Sequence, residues 1–477
     1  MTPVQILRQY FGHSSFRGCQ QEIIDHLLAG RHALVLMPTG MGKSVCYQIP
    51  ALMLSGLTVI ISPLIALMKD QVDSLRAKNI DAACINSSLS RAEREQRLQA
   101  LARGAYRLLY VTPERFRSTE FTERIARRAV SLLAVDEAHC ISQWGHDFRP
   151  DYTRIKEFRR QLGSPVTIAL TATAAPDVQQ DIITQLGLTP GDIRIFHEGI
   201  DRPNLHLAVI DLYGDDAKLA IISDQYRRQP GNTIVYFSLI KTLERFSDLL
   251  STRGITHLQY HGGLDPAKRR RMQNLFMAGD NSLILATNAF GMGIDKADIR
   301  HVIHAEVPGS MEAYYQEIGR AGRDGFPSDC TLLYDEQDLL IQMDFISWNN
   351  PDAGFYSRLH QLLADEAEAA NSGGSEWLKE KLLFKNKHDF RLETGLAMLD
   401  RYGVTAGSLA DHDLRVAAPL PPQLGRAKIA EKMLAEQKKL HFMVGYIKTA
   451  GCRKALIHEY FGMDHPDRCG ACDNCAA

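Results

Sequence analysis

No stretch of this sequence comes near the roughly 18–20 consecutive apolar residues that a membrane span requires, so no membrane partner is expected. The opening residues Met1-Thr-Pro-Val-Gln-Ile-Leu-Arg8 lack the charged-then-apolar layout of a secretory signal, and a cytoplasmic location is expected. Excess charge is also missing. Lys and Arg number 55 against 56 Asp and Glu, a net −1, so bulk electrostatics give no sign of a polyanionic partner. A local basic track stays compatible with one. Gly (35) and Pro (19) are too few among 477 residues for a fibrous or low-complexity chain. Cysteine is thin along most of the length. Cys19, Cys46, Cys84, Cys140 and Cys330 stand singly in apolar or mixed segments, as buried thiols do. The other four crowd between Cys452 and Cys475, a cluster that in a reducing compartment points to metal rather than disulfides.

At this length about three domains are expected. Short apolar runs at Ala33–Met37, Leu57–Ser62, Leu108–Thr112, Ser131–Val135 and Val166–Leu170 alternate with amphipathic stretches such as Leu64–Lys78 and Arg91–Arg103. Strands this apolar, separated by helices, predict a parallel sheet covered on both faces. The pattern restarts with Asn232–Ser238, His257–Tyr260, Ser282–Thr287, His301–Ala305 and Cys330–Tyr334, giving two tandem α/β lobes joined near Glu198–Asn204. After about Asp335 the alternation stops. Glu366–Gly374 reads as a linker, His388–Arg401 as a helix, Gly403–Ala406 and Asp413–Ala418 as short strands, and Ala427–Thr449 as a long Lys-rich helix.

Met37-Pro-Thr-Gly-Met-Gly-Lys-Ser44 follows one strand and precedes the helical Val45–Met53, the context of a phosphate-binding loop. Thr39, Gly40, Met41 and Gly42 would bring backbone amides to phosphate oxygens, Lys43 would reach the β and γ phosphates, and the Ser44 hydroxyl would ligate Mg²⁺. Met37 stands where the general motif has its first Gly. Asp136-Glu-Ala-His139 follows another strand, which aims both carboxylates at the same sheet edge. Asp136 suits the Mg²⁺, and Glu137 suits the attacking water as orienter and base.

Cys452 precedes Cys469-Gly-Ala-Cys472-Asp-Asn-Cys475. Two overlapping Cys-x-x-Cys steps and one returning thiolate make a closed, structural Zn²⁺ site.

Pro-Thr-Gly-Met-Gly-Lys-Ser with Asp-Glu-Ala-His resembles the superfamily 2 helicases, and further segments narrow the resemblance to the RecQ family. It runs from about Leu7 to Tyr334 and resumes at Cys452–Cys475. It implies two tandem RecA-like parallel-sheet lobes (residues 1–200 and 201–345), an insertion (346–426) and a mostly helical zinc-binding C-terminal region (427–477). Phe16-Arg17-Gly-Cys-Gln20 is similar to the family's adenine-recognition motif, implying stacking or charge contact from Arg17 and hydrogen bonds from Gln20. Gly18-Cys19 replaces the usual Pro-Gly there. Ser62–Gln71 and Val111–Arg115 are similar to strand-contacting motifs, and Thr171-Ala-Thr173 to the segment linking hydrolysis to movement. His139–Pro150 resembles the aromatic-rich loop, where Trp144 and Phe148 offer stacking faces for bases while His146 and Arg149 complete the nucleic-acid contact.

Ala286–Asp295 and Gln316–Arg323 match late helicase motifs, bringing Gly293, Asp295 and Gln316 to the nucleotide. Arg320 and Arg323, three apart on an expected helix, would neutralise charge on the γ-phosphate. Lys268-Arg-Arg-Arg271 reads equally as a phosphate patch or a solvated helix face, and Lys428, Lys432, Lys438, Lys439, Lys448, Arg453 and Lys454 read either as contacts to duplex phosphates or as solvated helix faces.

The resemblance implies an ATP-dependent DNA helicase moving 3′ to 5′ on single-stranded DNA and opening duplex in repair or recombination. It implies ATP, Mg²⁺ and Zn²⁺ as cofactors and single-strand-binding or other repair proteins as partners. Oligomeric state stays open. Against the family pattern, residues 346–451 are longer than usual, and the usual downstream winged helix is expected to be absent. The insertion is expected to be either a displaced winged helix or a helical spacer. A translocase or strand annealer with little unwinding is the alternative activity, and a non-enzymatic scaffold is opposed by intact Lys43, Asp136, Glu137, Arg320 and Arg323.

Overall fold

The computed structural model describes residues 1–476 apart from 39, 87, 143–151, 153, 292, 293, 295, 385–388, 410 and 411. Helix α1 (Gln20–Leu28) precedes the first sheet. That sheet comprises β1 (His32–Leu36), β2 (Leu57–Ile61), β3 (Ala82–Ile85), β4 (Leu108–Val111), β5 (Val130–Val135), β6 (Val166–Thr171) and β7 (Ile193–His197). All pairings are parallel, in the order β3-β4-β2-β5-β6-β1-β7. Strand β2 is buried at every position, as an interior strand with helices on both faces must be. Helix α2 (Val45–Met53) starts directly from the loop after β1.

The second sheet is also parallel: β8 (Leu205–Asp211), β9 (Asn232–Tyr236), β10 (Leu258–Tyr260), β11 (Leu283–Ala286), β12 (Ile299–His304) and β13 (Ser328–Tyr334), ordered β10-β11-β9-β12-β13-β8. Helix α3 (Met311–Ile318) lies between β12 and β13. Strands β3, β7 and β8 were not expected from the sequence. Each lies at a sheet edge, where one side lacks a neighbour. In two of them the apolar pattern is weak, β7 being buried only at Ile193 and Phe196 and β8 only at Leu205 and Leu207, whereas β3 is buried throughout but is short and built mostly of small residues.

Beyond the second sheet come α4 (Ala353–Asp365), α5 (Ala367–Lys381) and α6 (Arg391–Arg401), then an antiparallel pair, β14 (Thr405–Ala406) and β15 (Arg415–Val416). These elements share a core of their own around Phe355, Leu359, Leu378, Leu392, Leu399 and Leu414. The expected linker at Glu366–Gly374 is instead mostly helical. The Glu-Ala-Glu-Ala-Ala run favours helix, and the break is confined to Gly374 at φ 62°.

Helices α7 (Arg426–Lys448) and α8 (Arg453–Tyr460) close the chain against the second sheet, where Met443, Tyr446, Ile457 and Phe461 join the lobe's core. Among the described residues, no helix is long and apolar enough to cross a membrane.

Candidate nucleotide site and zinc centre

The loop after β1 turns on two glycines in left-handed conformation, Gly40 (φ 84°) and Gly42 (φ 82°), which residues with a side chain rarely adopt. It is tied down from three directions. The Met37 amide donates to Thr171 O (3.0 Å), Lys43 Nζ donates to Met37 O (3.1 Å), and the Gln20 amide donates to Met41 O (2.9 Å) and Gly42 O (3.2 Å). Gln20 Oε1 accepts from the Arg17 amide (3.0 Å). Gln20 is therefore buried with both ends of its side chain engaged, whereas the Arg17 side chain is exposed. The Gly18-Cys19 turn is held by Glu198, whose carboxylate accepts from the Cys19 amide. Cys19 is half-buried, so not every single cysteine is fully interior; burial and then Glu198 push its thiol up to about 12.

Asp136 and Glu137 leave the end of β5 at the same edge. The tip of Asp136 reaches the cleft, but the surrounding protein strips most of its hydration. That loss, reinforced by the neighbouring Glu137 charge and only partly offset by Lys43, pushes its carboxyl up to about 7. Glu137 adopts a left-handed backbone (φ 49°), uncommon for a residue with a side chain and a form of stored strain. Its carboxylate lies 3.4 Å from Nδ1 of buried His139, which is also 2.9 Å from Thr171 Oγ1. The Thr171 hydroxyl donates to Thr173 O (2.9 Å), so it accepts from His139. The Glu137 carboxylate thus lies beside a hydrogen-bonded chain that runs from His139 through Thr171 to Thr173.

Across the cleft stand Gln316, Arg320 and Arg323. Helix α3 ends at Ile318, so the two arginines are not on a helix as expected; they occupy the turn that follows, with Gly322 at φ 56°. The turn still brings both to one side. Arg320 is buried and donates through Nη1 to Gly291 O; Arg323 donates to Ile294 O (2.9 Å). Among the described residues, Arg320 Nε and Gln316 Nε2 are buried without hydrogen-bond partners. A Cβ on Gly40 would lie 3.5 Å from Arg323 Cδ, so the arginine packs on the phosphate-binding loop itself. A cleft of about 240 Å³ results, bounded by Lys43, Ser44, Asp136 and Glu137 on one side and by Gln316, Arg320 and Arg323 on the other.

Two supports of this turn carried no motif signal. Arg202 donates to Gly319 O (3.1 Å), Ala321 O (2.5 Å) and Gly322 O (3.0 Å), and Asn204 Nδ2 donates to Gly322 O (2.8 Å). Only the fold reveals that the segment joining the lobes grips the arginine turn.

The donor set suits a hard divalent cation. A hydroxyl from Ser44 and the poorly solvated carboxylate of Asp136 face one space, and a cation there would relieve the cost of ionising Asp136. Of the remaining sequence-derived site residues, Thr39, Gly293, Asp295, Trp144, His146, Phe148 and Arg149 lie outside the described residues.

The four cysteines do converge: the Sγ atoms of Cys452, Cys469, Cys472 and Cys475 all lie within 4.8 Å of one another. Cys452 caps α8, and the Ala471 amide donates to Cys469 Sγ (3.3 Å). Four thiols with an N–H aimed at one sulfur fit Zn²⁺, which they would enclose completely. The knuckle docks on the free edge of β8, where Leu207 N donates to Ala471 O (3.2 Å) and Val209 N to Asp473 Oδ2 (2.9 Å). Asp473 in turn holds Arg453 (2.5 Å).

Several cations that the sequence suggested as phosphate contacts are internal. Arg453 is buried on Asp473, buried Lys454 donates to Arg202 O (2.7 Å), and buried Lys439 pairs with Glu436 (3.0 Å). Lys428 and Lys448 face solvent but pair with Glu431 and Asp211.

A phosphate-binding loop with two carboxylates on one parallel-sheet lobe and two arginines facing them from a second form the architecture of the two-lobe helicase class. Residues 17–182 match the DEAD/DEAH box helicase family, 217–325 the helicase conserved C-terminal domain, and 424–476 the RecQ zinc-binding family. The ATP-dependent DNA helicase RecQ of Bacillus subtilis (strain 168) is 38% identical over 472 residues, 98% of this chain and 66% of that protein. The protein of the same name from Synechocystis sp. (strain ATCC 27184 / PCC 6803 / Kazusa) is 36% identical over 490 residues, 99% of this chain and 97% of that protein. The structure of S. cerevisiae Dbp5 bound to RNA and ADP BeF3 has a TM-score of 0.57 at 16% identity, covering 72% of this chain and 90% of that one, a likeness of fold alone.

The chain belongs to the RecQ family. It spans 54–66% of the length of several curated relatives that it matches.

Proposed function

We propose that this protein is an ATP-dependent DNA helicase that couples hydrolysis to 3′-to-5′ movement on single-stranded DNA and opens duplex in repair or recombination. The observation that carries the proposal is the cleft that places Lys43, Ser44, Asp136 and Glu137 opposite Gln316, Arg320 and Arg323. Lys43 and the loop amides hold the β and γ phosphates, and Glu137 orients and deprotonates the attacking water. Arg320 and Arg323 neutralise the charge that develops on the transferred phosphoryl group. Ser44 and Asp136 would hold Mg²⁺, which when bound would screen the phosphate oxygens.

Gln20 reads the nucleotide through its grip on Met41 and Gly42 as well as through adenine, since those bonds must adjust when the loop fills. The His139–Thr171–Thr173 chain conveys the state of Glu137 to the rest of the first lobe. DNA tracks along residues 144–149, where aromatic stacking contributes roughly 1–3 kcal/mol per base. The three helices and short hairpin at 353–416 act as a winged-helix-like duplex contact placed ahead of the zinc centre. A cytoplasmic location, at the nucleoid in a bacterial cell, accords with this role.

Strand displacement on a 3′-tailed duplex tests the proposal, with Lys43→Ala as the blank. Displacement by wild type alone supports it. DNA-stimulated ATPase without displacement would replace it with a translocase or annealer.

A further inference from the structure

Outside the four-cysteine centre, a second set of metal-ligating side chains converges. Asp201 lies in the segment joining the lobes, His458 on α8, and His465 between α8 and Cys469. A carboxylate oxygen of Asp201 and one ring nitrogen of each histidine all lie within 4.8 Å of one another. Tetrahedral Zn²⁺ bonds of about 2.0–2.1 Å set ligand atoms about 3.4 Å apart, so small side-chain rotations would complete the set.

Three further observations bear on it. His465 Nδ1 is 2.6 Å from Pro466 O, and a carbonyl can only accept, so the proton is on Nδ1 and Nε2 keeps its lone pair. That outer N–H-to-carbonyl bond is how metal-binding histidines are commonly oriented. His458 is 8% exposed, and its Nδ1 lacks a well-formed hydrogen bond among the described residues, although the Asp464 backbone lies near enough to favour its charged form. A small cavity of about 20 Å³ touches Asp201 and His458 but not His465, and its walls are otherwise mostly apolar. The nearby cations do not fill this role: Lys454 and Arg202 are bound to backbone carbonyls.

We propose that Asp201, His458 and His465 form a second divalent-metal site, suited to Zn²⁺ or a similar late first-row cation, that ties the zinc-binding region to the segment joining the lobes. Imidazole and carboxylate ligands favour such ions, and three protein ligands leave one position for water. Its consequence reaches the nucleotide cleft. Asp201 adjoins Arg202, which holds the carbonyls around Arg320, so an ion on Asp201 steadies the turn that carries both arginines.

The test uses the full chain, stripped of loosely held metal, dialysed against low-micromolar free Zn²⁺ and counted by mass spectrometry. Two Zn²⁺ per wild-type chain and one per His465→Gln or Asp201→Asn chain are expected. Co²⁺ substitution separates the sites, because only the four-cysteine centre produces thiolate charge-transfer bands. The second equivalent should add ligand-field absorption without them, and His465→Gln should abolish that addition. One Zn²⁺ in wild type, or two in His465→Gln, would overturn the proposal.

Discussion

The two walls of the nucleotide cleft are built on opposite electrostatic terms. On the first-lobe wall, Asp136 is stripped of water beside another carboxylate, and Glu137 is held in a strained backbone. On the second-lobe wall, Arg320 and Arg323 rest on the carbonyls of Gly291 and Ile294, in a turn that Arg202 and Asn204 clamp from beneath. One wall holds its charges at a cost that ligand relieves, and the other holds its charges ready in place. Defects on the second wall should therefore slow hydrolysis while leaving nucleotide binding largely intact, because electrostatic preorganisation acts on the transition state more than on the bound ground state.

The largest expected effect concerns what supports the second wall. Cys472→Ala should lose zinc and unfold residues 424–476, since a structural zinc contributes roughly 10–16 kcal/mol of apparent folding energy in small modules. Zinc content and limited proteolysis read this directly. Soluble Cys472→Ala protein with the wild-type zinc content and cleavage pattern would show that Cys472 is dispensable to the centre.

Next comes Arg320→Ala, which should lower DNA-stimulated ATP turnover by about 10³–10⁵-fold with nucleotide affinity changed only a few-fold. A comparable loss in affinity would break the contrast between the walls. Glu137→Gln should cost about 10²–10⁴-fold in turnover, also with binding kept, as expected for loss of a general base. Arg202→Ala is the mildest: a turn displaced by about 1 Å can cost up to about 10²-fold. Its signature is a fall in turnover at unchanged KM, and an unchanged turnover would mean that Asn204 suffices.

Legibility differed between regions for physical reasons. Interior strands such as Leu57–Ile61 and Asn232–Tyr236 are buried at every position, and their unbroken apolar runs made both lobes readable. Edge strands β7 and β8 carry few buried apolar residues and escaped notice, as did β3, which is buried but only four residues long. The phosphate-binding loop, the Asp136-Glu137 pair and the cysteine cluster are local in sequence, so their chemistry was visible without a fold. Arg202, Asn204 and the His139–Thr171 bond act through contacts across 32 to 120 residues, which no spacing rule reports. The basic α7–α8 region misled because charge in a sequence does not say which side faces water. Lys454 and Arg453 proved to be internal props.

The most direct test of a nucleotide held between the two walls is hydrogen–deuterium exchange of the full chain, with and without a nonhydrolysable ATP analogue and Mg²⁺. Slowed exchange is expected in two separate peptides, one covering Met37–Val45 and the other covering Gly319–Gly325. Protection confined to the first peptide, with the arginine turn exchanging as in the free protein, would contradict it.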